Sequence, residues 1–289
     1  MNFSTIEAAN MFKKSLLLLA LISSVNSYSF DTKDVERFHA ENSCYSCDLR
    51  YERAPNTQAP GGDFRGAYMF NINLTGSNLV DTNFQSANLI QADLLFVDFS
   101  RANMNKIALR AADLTGATLR GALINQAVLK GSNLTYASFN NAQLKASDLE
   151  KVIFDQGFAT KANFAGANLS NASFRSTIFS KSRFVGAQMN NSDFQGADLS
   201  SANLSKANLQ SSNLSDTNLN FANFTGANLK GAKLVNADLS GANLSYTDLT
   251  DADLTGAEYS TALFNSVKVC RTKLTKPIKN SLDCDSNRS

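Results

Sequence analysis

Four cysteines and a single histidine are the residues of this chain best suited to redox chemistry or metal ligation. Cys44 and Cys47 form a Cys-x-x-Cys pair with His39 just before it, and Cys270 and Cys284 stand near the other end. Such a pair exchanges disulfides in a strand-helix-strand setting, or binds zinc when two more ligands join it. Neither setting is present, because no such pattern surrounds the pair and His39 alone could join it. An even number of cysteines in an oxidising compartment favours disulfides, with three connectivities possible. Sequence proximity favours Cys44 with Cys47 and Cys270 with Cys284. Carboxylates such as Asp113 and Asp193 recur at equivalent places of a repeat, apart from any Ser and His, and read as turn and ladder residues. The expectation is a chain with no catalytic residues, cofactor or metal.

The oxidising compartment is itself suggested by the first residues. Lys13 and Lys14 precede the apolar run Leu16 to Ile22, and small residues (Val25, Ser27, Ser29) offer cleavage after Ser27 or Ser29. This is the pattern of a secretory signal peptide over 1–29, with Met11 the better start because the preceding decapeptide is acidic where the segment should be basic. The run is shorter than the ~20 apolar residues that span a bilayer. The mature chain is expected in the periplasm or outside the cell, without a transmembrane segment.

From Phe64 a large apolar residue recurs every fifth position, through Met69, Leu74, Leu79 and Phe84 and, after Ala159, from Phe164 to Leu274. Two residues before each sits a small one (Ala87, Ala112, Ala197), with Asn or Asp between (Asn88, Asp113, Asp198) and often Gly two places after, as at Gly116 and Gly166. On a helix a period of five wanders round the axis, and on a flat strand it alternates faces. A chain that bends by the same angle after each pentapeptide keeps every large residue inside, which makes a solenoid. Glycine after the large residue would ease the corner.

Units such as Ala167-Asn168-Leu169 and Ala227-Asn228-Leu229, repeated over 62–274, resemble the pentapeptide repeat family. The resemblance implies an all-β, right-handed quadrilateral β-helix with four repeats per coil, about ten coils here. Residues twenty apart would then stack, Phe154 with Phe174 and Phe194, and Phe139 and Phe179 would lean together over the void at Ala159. The chain divides into a signal peptide (1–29), an N-terminal cap with a short helix near Asp31 to Ala40 and the Cys-x-x-Cys (30–49), a protruding loop rich in polar residues (50–62), the β-helix (63–274) and a tail (275–289). The Cys44 to Leu49 segment and the tail closed through Cys270 and Cys284 resemble those of exported relatives.

Family members with the clearest activity resemble duplex DNA and protect gyrase, which requires strong acidity. Residues 61–268 hold 16 Lys or Arg and 16 Asp or Glu, so this alternative is disfavoured and no nucleic-acid partner is expected. A non-enzymatic extracytoplasmic scaffold or protein-binding module remains, its partner an unknown protein, a surface or a second copy. Phe70, Val80, Ile90, Leu95 and Phe96 make a possible contact patch, with a smaller pair at Phe158 and Ile178. Charge is uneven along the sequence: basic residues (Arg110, Lys130, Lys161, Lys181) lie in 61–183, and acidic ones (Asp238, Asp248, Asp251, Asp253, Glu258) concentrate before 268, which predicts an axial dipole.

Overall fold

The computed structural model describes residues 32–278. The chain separates at Asp31 into two units, and only the second is described. The expected signal peptide and Cys284 lie outside the described residues.

A helix, α1 (Thr32–Glu41), leads into the repeats. Parallel bridges then join each central Asn or Asp position to the residue twenty further on, from Asp48↔Tyr68 to Asp248↔Lys268. The register ends in two paired two-residue strands, β1 (Asp253–Leu254) and β2 (Lys273–Leu274). Four repeats therefore make one coil. At the ~4.8 Å spacing of paired strands, about eleven coils make a stack on the order of 50 Å long.

The repeat around Leu199 shows how each backbone group is satisfied. The Leu199 N–H donates one coil onward to Asn218 (2.8 Å), the Ser201 N–H onward to Asn220 (2.7 Å) and the Asn203 N–H one coil back to Ser182 (2.8 Å). The Ala202 N–H closes the corner on Leu199 (3.0 Å). This scheme needs a left-handed residue at each corner, two places after the large one. Glycine takes that place at Gly166 (φ 67), but Phe96 (φ 56), Tyr136 (φ 61) and Lys161 (φ 59) take it as well. The corner is thus set by the coil and only eased by glycine, since the left-handed region costs other residues ~1–2 kcal/mol.

Large and small positions both point inward, and Leu199, Ala202, Phe164 and Ala167 are all buried. Most Ser and Thr at the small position stay inside by donating to a backbone carbonyl, as Ser147 does to Ile124 (2.6 Å), with Ser132 an unpartnered exception. The expected stack is present in Phe174–Phe194 (4.7 Å), and Phe164 stacks on Phe184, also twenty apart, in the same way (5.0 Å). Phe154 departs from the expectation. It meets Phe174 edge-on at 6.4 Å because its ring swings sideways, touching Phe139 (5.1 Å) and Phe179 (5.8 Å). Those two rings do not close over Ala159 by leaning together. Phe154, from the preceding repeat, fills the space, and Gly157 admits it: a Cβ there would fall 2.0 Å from the Phe154 ring.

Residues 50–62 are not a protruding loop. Arg53↔Asn73 and Gln58↔Asn78 are bridges of an ordinary coil, and the ladder begins at Cys44, whose N–H donates to Asp63 (2.8 Å). Ala54 and Ala59 occupy the large positions of this coil and are buried. Their small side chains leave room for α1, which buries Phe38 and sets it 6.0 Å from Phe64.

Leu199→Ala should cost ~2–5 kcal/mol, as buried Leu truncations do, and Asn203→Ala much less, read by thermal unfolding. Gly157→Ala should cost ~1–3 kcal/mol as an overpacked core does, and Phe154→Leu should restore part of that loss. A neutral Gly157→Ala would show that the ring does not occupy this space.

Candidate functional site

The Cys-x-x-Cys pair belongs to the repeat. Cys44 takes a large inward position and Cys47 the small one of the next repeat, so their side chains meet across a corner. They are joined as a disulfide with Cα atoms 5.5 Å apart. Asp34 of α1 comes near both sulfurs, but a disulfide leaves no thiolate for a metal. Asp34 instead accepts from the Asp48 N–H (2.9 Å) and from Arg37 (3.1 Å), pinning α1 to the first coil. His39 faces Glu52 at 3.2 Å. Cys270 is buried and disulfide-bonded, while its expected partner Cys284 lies outside the described residues.

The central carboxylates hold structure. Asp113 accepts from the Thr115 N–H (3.0 Å), and Asp193 from the Gln195 N–H (3.1 Å), Asn213 (2.9 Å) and Arg175 (2.6 Å). Asparagines at the same position form ladders between coils, as Asn228 does with Asn208 (3.0 Å). Their polar atoms are engaged by neighbours in the fold.

The expected apolar patch does not assemble on one surface. In a twenty-residue coil, Phe70 and Ile90 share one corner column, Leu95 and Phe96 flank the next corner, and Val80 the one after. Phe70 packs edge-on to Tyr51 (5.5 Å), so the first coil covers part of it. Phe96 is 67% exposed, with its ring lying over Gly116. Phe158 and Ile178 do pair, as a bridge on one side.

The charged candidates separate into paired and unpaired groups. Arg110 and Lys130 continue the column of Phe70 and Ile90, and Lys130 meets Glu150 at 2.6 Å. Asp248 pairs with Lys268 (3.4 Å), Asp251 with Arg271 (2.6 Å) and Asp253 with Lys273 (3.0 Å). Asp238 and Glu258 accept from the N–H of Ser240 and Ser260. The acidic end of the axial dipole expected from the sequence is therefore partly neutralised, because cations of the closing coil lie one coil beyond these acids, while the basic excess over 61–183 stands. Lys161 and Lys181, twenty apart on one corner, have no ion pair among the described residues.

Disulfide-clamped coils with inward apolar columns and outward amide ladders define a structural repeat protein. Pentapeptide repeats match in eight copies between residues 67 and 258, in segments 67–105, 112–150, 160–196, 182–220, 192–231 and 222–258. The chain belongs to the pentapeptide repeat family. Among solved structures it is similar to HetL, a pentapeptide repeat protein involved in heterocyst differentiation regulation from the cyanobacterium Nostoc sp. strain PCC 7120 (26% identity over 88% of this chain and 97% of that one, TM-score 0.28). It is also similar to a pentapeptide repeat protein of the Arabidopsis thaliana thylakoid lumen (35% identity, 32% of this chain and 64% of that one, TM-score 0.32). A third is trypsin-treated QnrB1, a plasmid-mediated fluoroquinolone resistance protein (17% identity, 62% and 94% covered, TM-score 0.34). Comparison with curated proteins gave no match.

Non-reducing peptide mapping should recover Cys44 linked to Cys47 and Cys270 linked to Cys284; a cross-link between the two ends would contradict the local pairing. Acid should loosen the last coil first. Hydrogen bonds from Thr255, then Lys273, pull the Asp253 carboxyl down to about 2, and Arg271 lowers that of Asp251. Groups depressed on folding stabilise the fold above their unfolded pKa, ~4 for Asp, and lose that contribution as pH falls toward 2. Amide NMR shifts of residues 251–274 should move between pH 5 and 2 before those around Leu199.

Proposed function

We propose that the protein is a non-enzymatic extracytoplasmic scaffold or binding module, a right-handed quadrilateral β-helix that acts in the periplasm or outside the cell. The observation that carries this reading is the use of its chemistry-bearing groups. The Cys44–Cys47 thiols are joined, and the Asp113 and Asp193 carboxylates are spent on turns and ladders. A disulfide in the first coil suits an oxidising compartment, as does the signal-like segment before α1. Among the described residues no helix is long and apolar enough to cross a membrane.

The DNA-mimic alternative requires a strongly acidic surface. Here the repeats are neutral in sum, and the unpaired charges at Lys161 and Lys181 are positive.

Cell fractionation with N-terminal sequencing tests the location. The mature chain should appear in the periplasm or medium, beginning at Tyr28 (cleavage after Ser27) or Phe30 (cleavage after Ser29), with Cys44 and Cys47 oxidised. A cytoplasmic protein that retains Lys13 and Lys14 and carries free thiols would overturn it.

A further inference from the structure

We infer that one long side of the solenoid docks on an anionic lipid surface, a reading that rests on the proposed extracytoplasmic binding role and gives it a partner. This side is built on the bridged column Asn103, Leu123, Gln143, Asn163, Arg183 and Asn203, with the corner that precedes it and the corner that follows. On the preceding corner stand Arg120, Lys161 and Lys181, and Arg183 is central. On the following corner stand Lys106, Lys145 and Lys206. All of these are exposed, and none has an ion pair among the described residues. Arg101 on the same side is paired with Asp81 (2.6 Å). Beyond Asp81 no acidic residue occurs on this side as far as Ser266, whereas the acids of the same coils, such as Asp113, Asp148, Asp155 and Asp198, all lie on the other three sides. Repeats that are neutral in sum thus gather seven cations without an ion pair, and no acid beyond Asp81, on one side.

The same side also carries exposed apolar groups. In the coils that follow the cations, Phe221 is 71% exposed, Tyr246 66% and Leu263 55%. Phe221 lies over Gly241, where a Cβ would fall 2.6 Å from the ring. Cations meet lipid phosphates, while aromatic and leucine side chains enter the boundary between headgroups and acyl chains. Because the twenty-residue register is kept throughout, both groups fall along one side and can meet a surface together. A nucleic acid fits less well: a duplex cylinder touches a flat side along one line. A single strand needs aromatic rings interleaved with the cations, and here the rings lie beyond them.

Sedimentation of the full exported chain with vesicles tests the inference. Vesicles of equal parts phosphatidylglycerol and phosphatidylcholine should bind at least about tenfold more tightly than phosphatidylcholine alone, and binding should fade as salt rises. Lys161→Glu with Lys181→Glu and Arg183→Glu should remove that preference, whereas Lys161→Arg with Lys181→Arg should keep it. Lys230→Glu with Lys233→Glu, on a different side, should also keep it, with circular dichroism showing each variant folded. Phe221→Ser with Tyr246→Ser should weaken binding that persists in salt. Equal binding to both vesicles, indifference to charge reversal, or binding of a short DNA in place of vesicles would overturn the inference. An exported, oxidised protein that ignores vesicles would sink the lipid reading alone, because the extracytoplasmic scaffold is judged by fractionation and not by lipid.

Discussion

Everything in this fold depends on the hydrogen bond that links a residue to the coil twenty positions along. A backbone confined to short bridges has no ladder of its own within a coil, so apart from the N–H that closes each corner its donors must find acceptors above or below. That demand fixes the coil length and, through it, the left-handed corner. Phe96, Tyr136 and Lys161 accept an unfavourable backbone conformation there because the alternative is an unpaired coil. The inward columns of Leu, Phe and Ala follow from the same closure, since a coil that returns every twenty residues stacks like on like.

The sequence is most informative where the interior is uniform. From Phe64 onward the five-residue alternation identifies inward and outward positions directly, and the chain begins its ladder earlier than the pattern shows. At Glu52, Ala54, Thr57 and Ala59 the usual apolar signal is missing because the interior of that coil is shared with Phe38 of α1. A polar stretch there signals a coil adapted to a cap. At Ala159 the missing volume is legible, but its replacement is not, because Phe154 comes from the preceding repeat. Only Gly157, glycine in a column otherwise of Ala, Thr, Ser and Val, marked the path of that ring.

Surface features were harder to read for a geometric reason. Counting charge along the chain averages over four sides, whereas the coil sorts residues by their place within twenty. Sorted that way, Asp248, Asp251 and Asp253 fall beside Lys268, Arg271 and Lys273, and Lys161, Lys181 and Arg183 fall on a side that carries no acid beyond Asp81. The apolar candidates scatter for the same reason: neighbours in sequence such as Ile90 and Leu95 sit on successive corners. The resemblance to the family supplied the count of four repeats that makes this sorting possible.

The twenty-residue register also limits how such a gene could change length. Gain or loss of one pentapeptide would leave every large residue inside, so the core alone would tolerate it. Yet each downstream column would advance by one side: a change between Arg120 and Arg183 would carry Arg183 and Lys206 a quarter-turn away from Arg120, and one between Asp253 and Lys273 would break that pair. Gain or loss of a whole coil would preserve both interior and sides. Length variation in this chain is therefore quantised, in fives by its interior and in twenties by its surface.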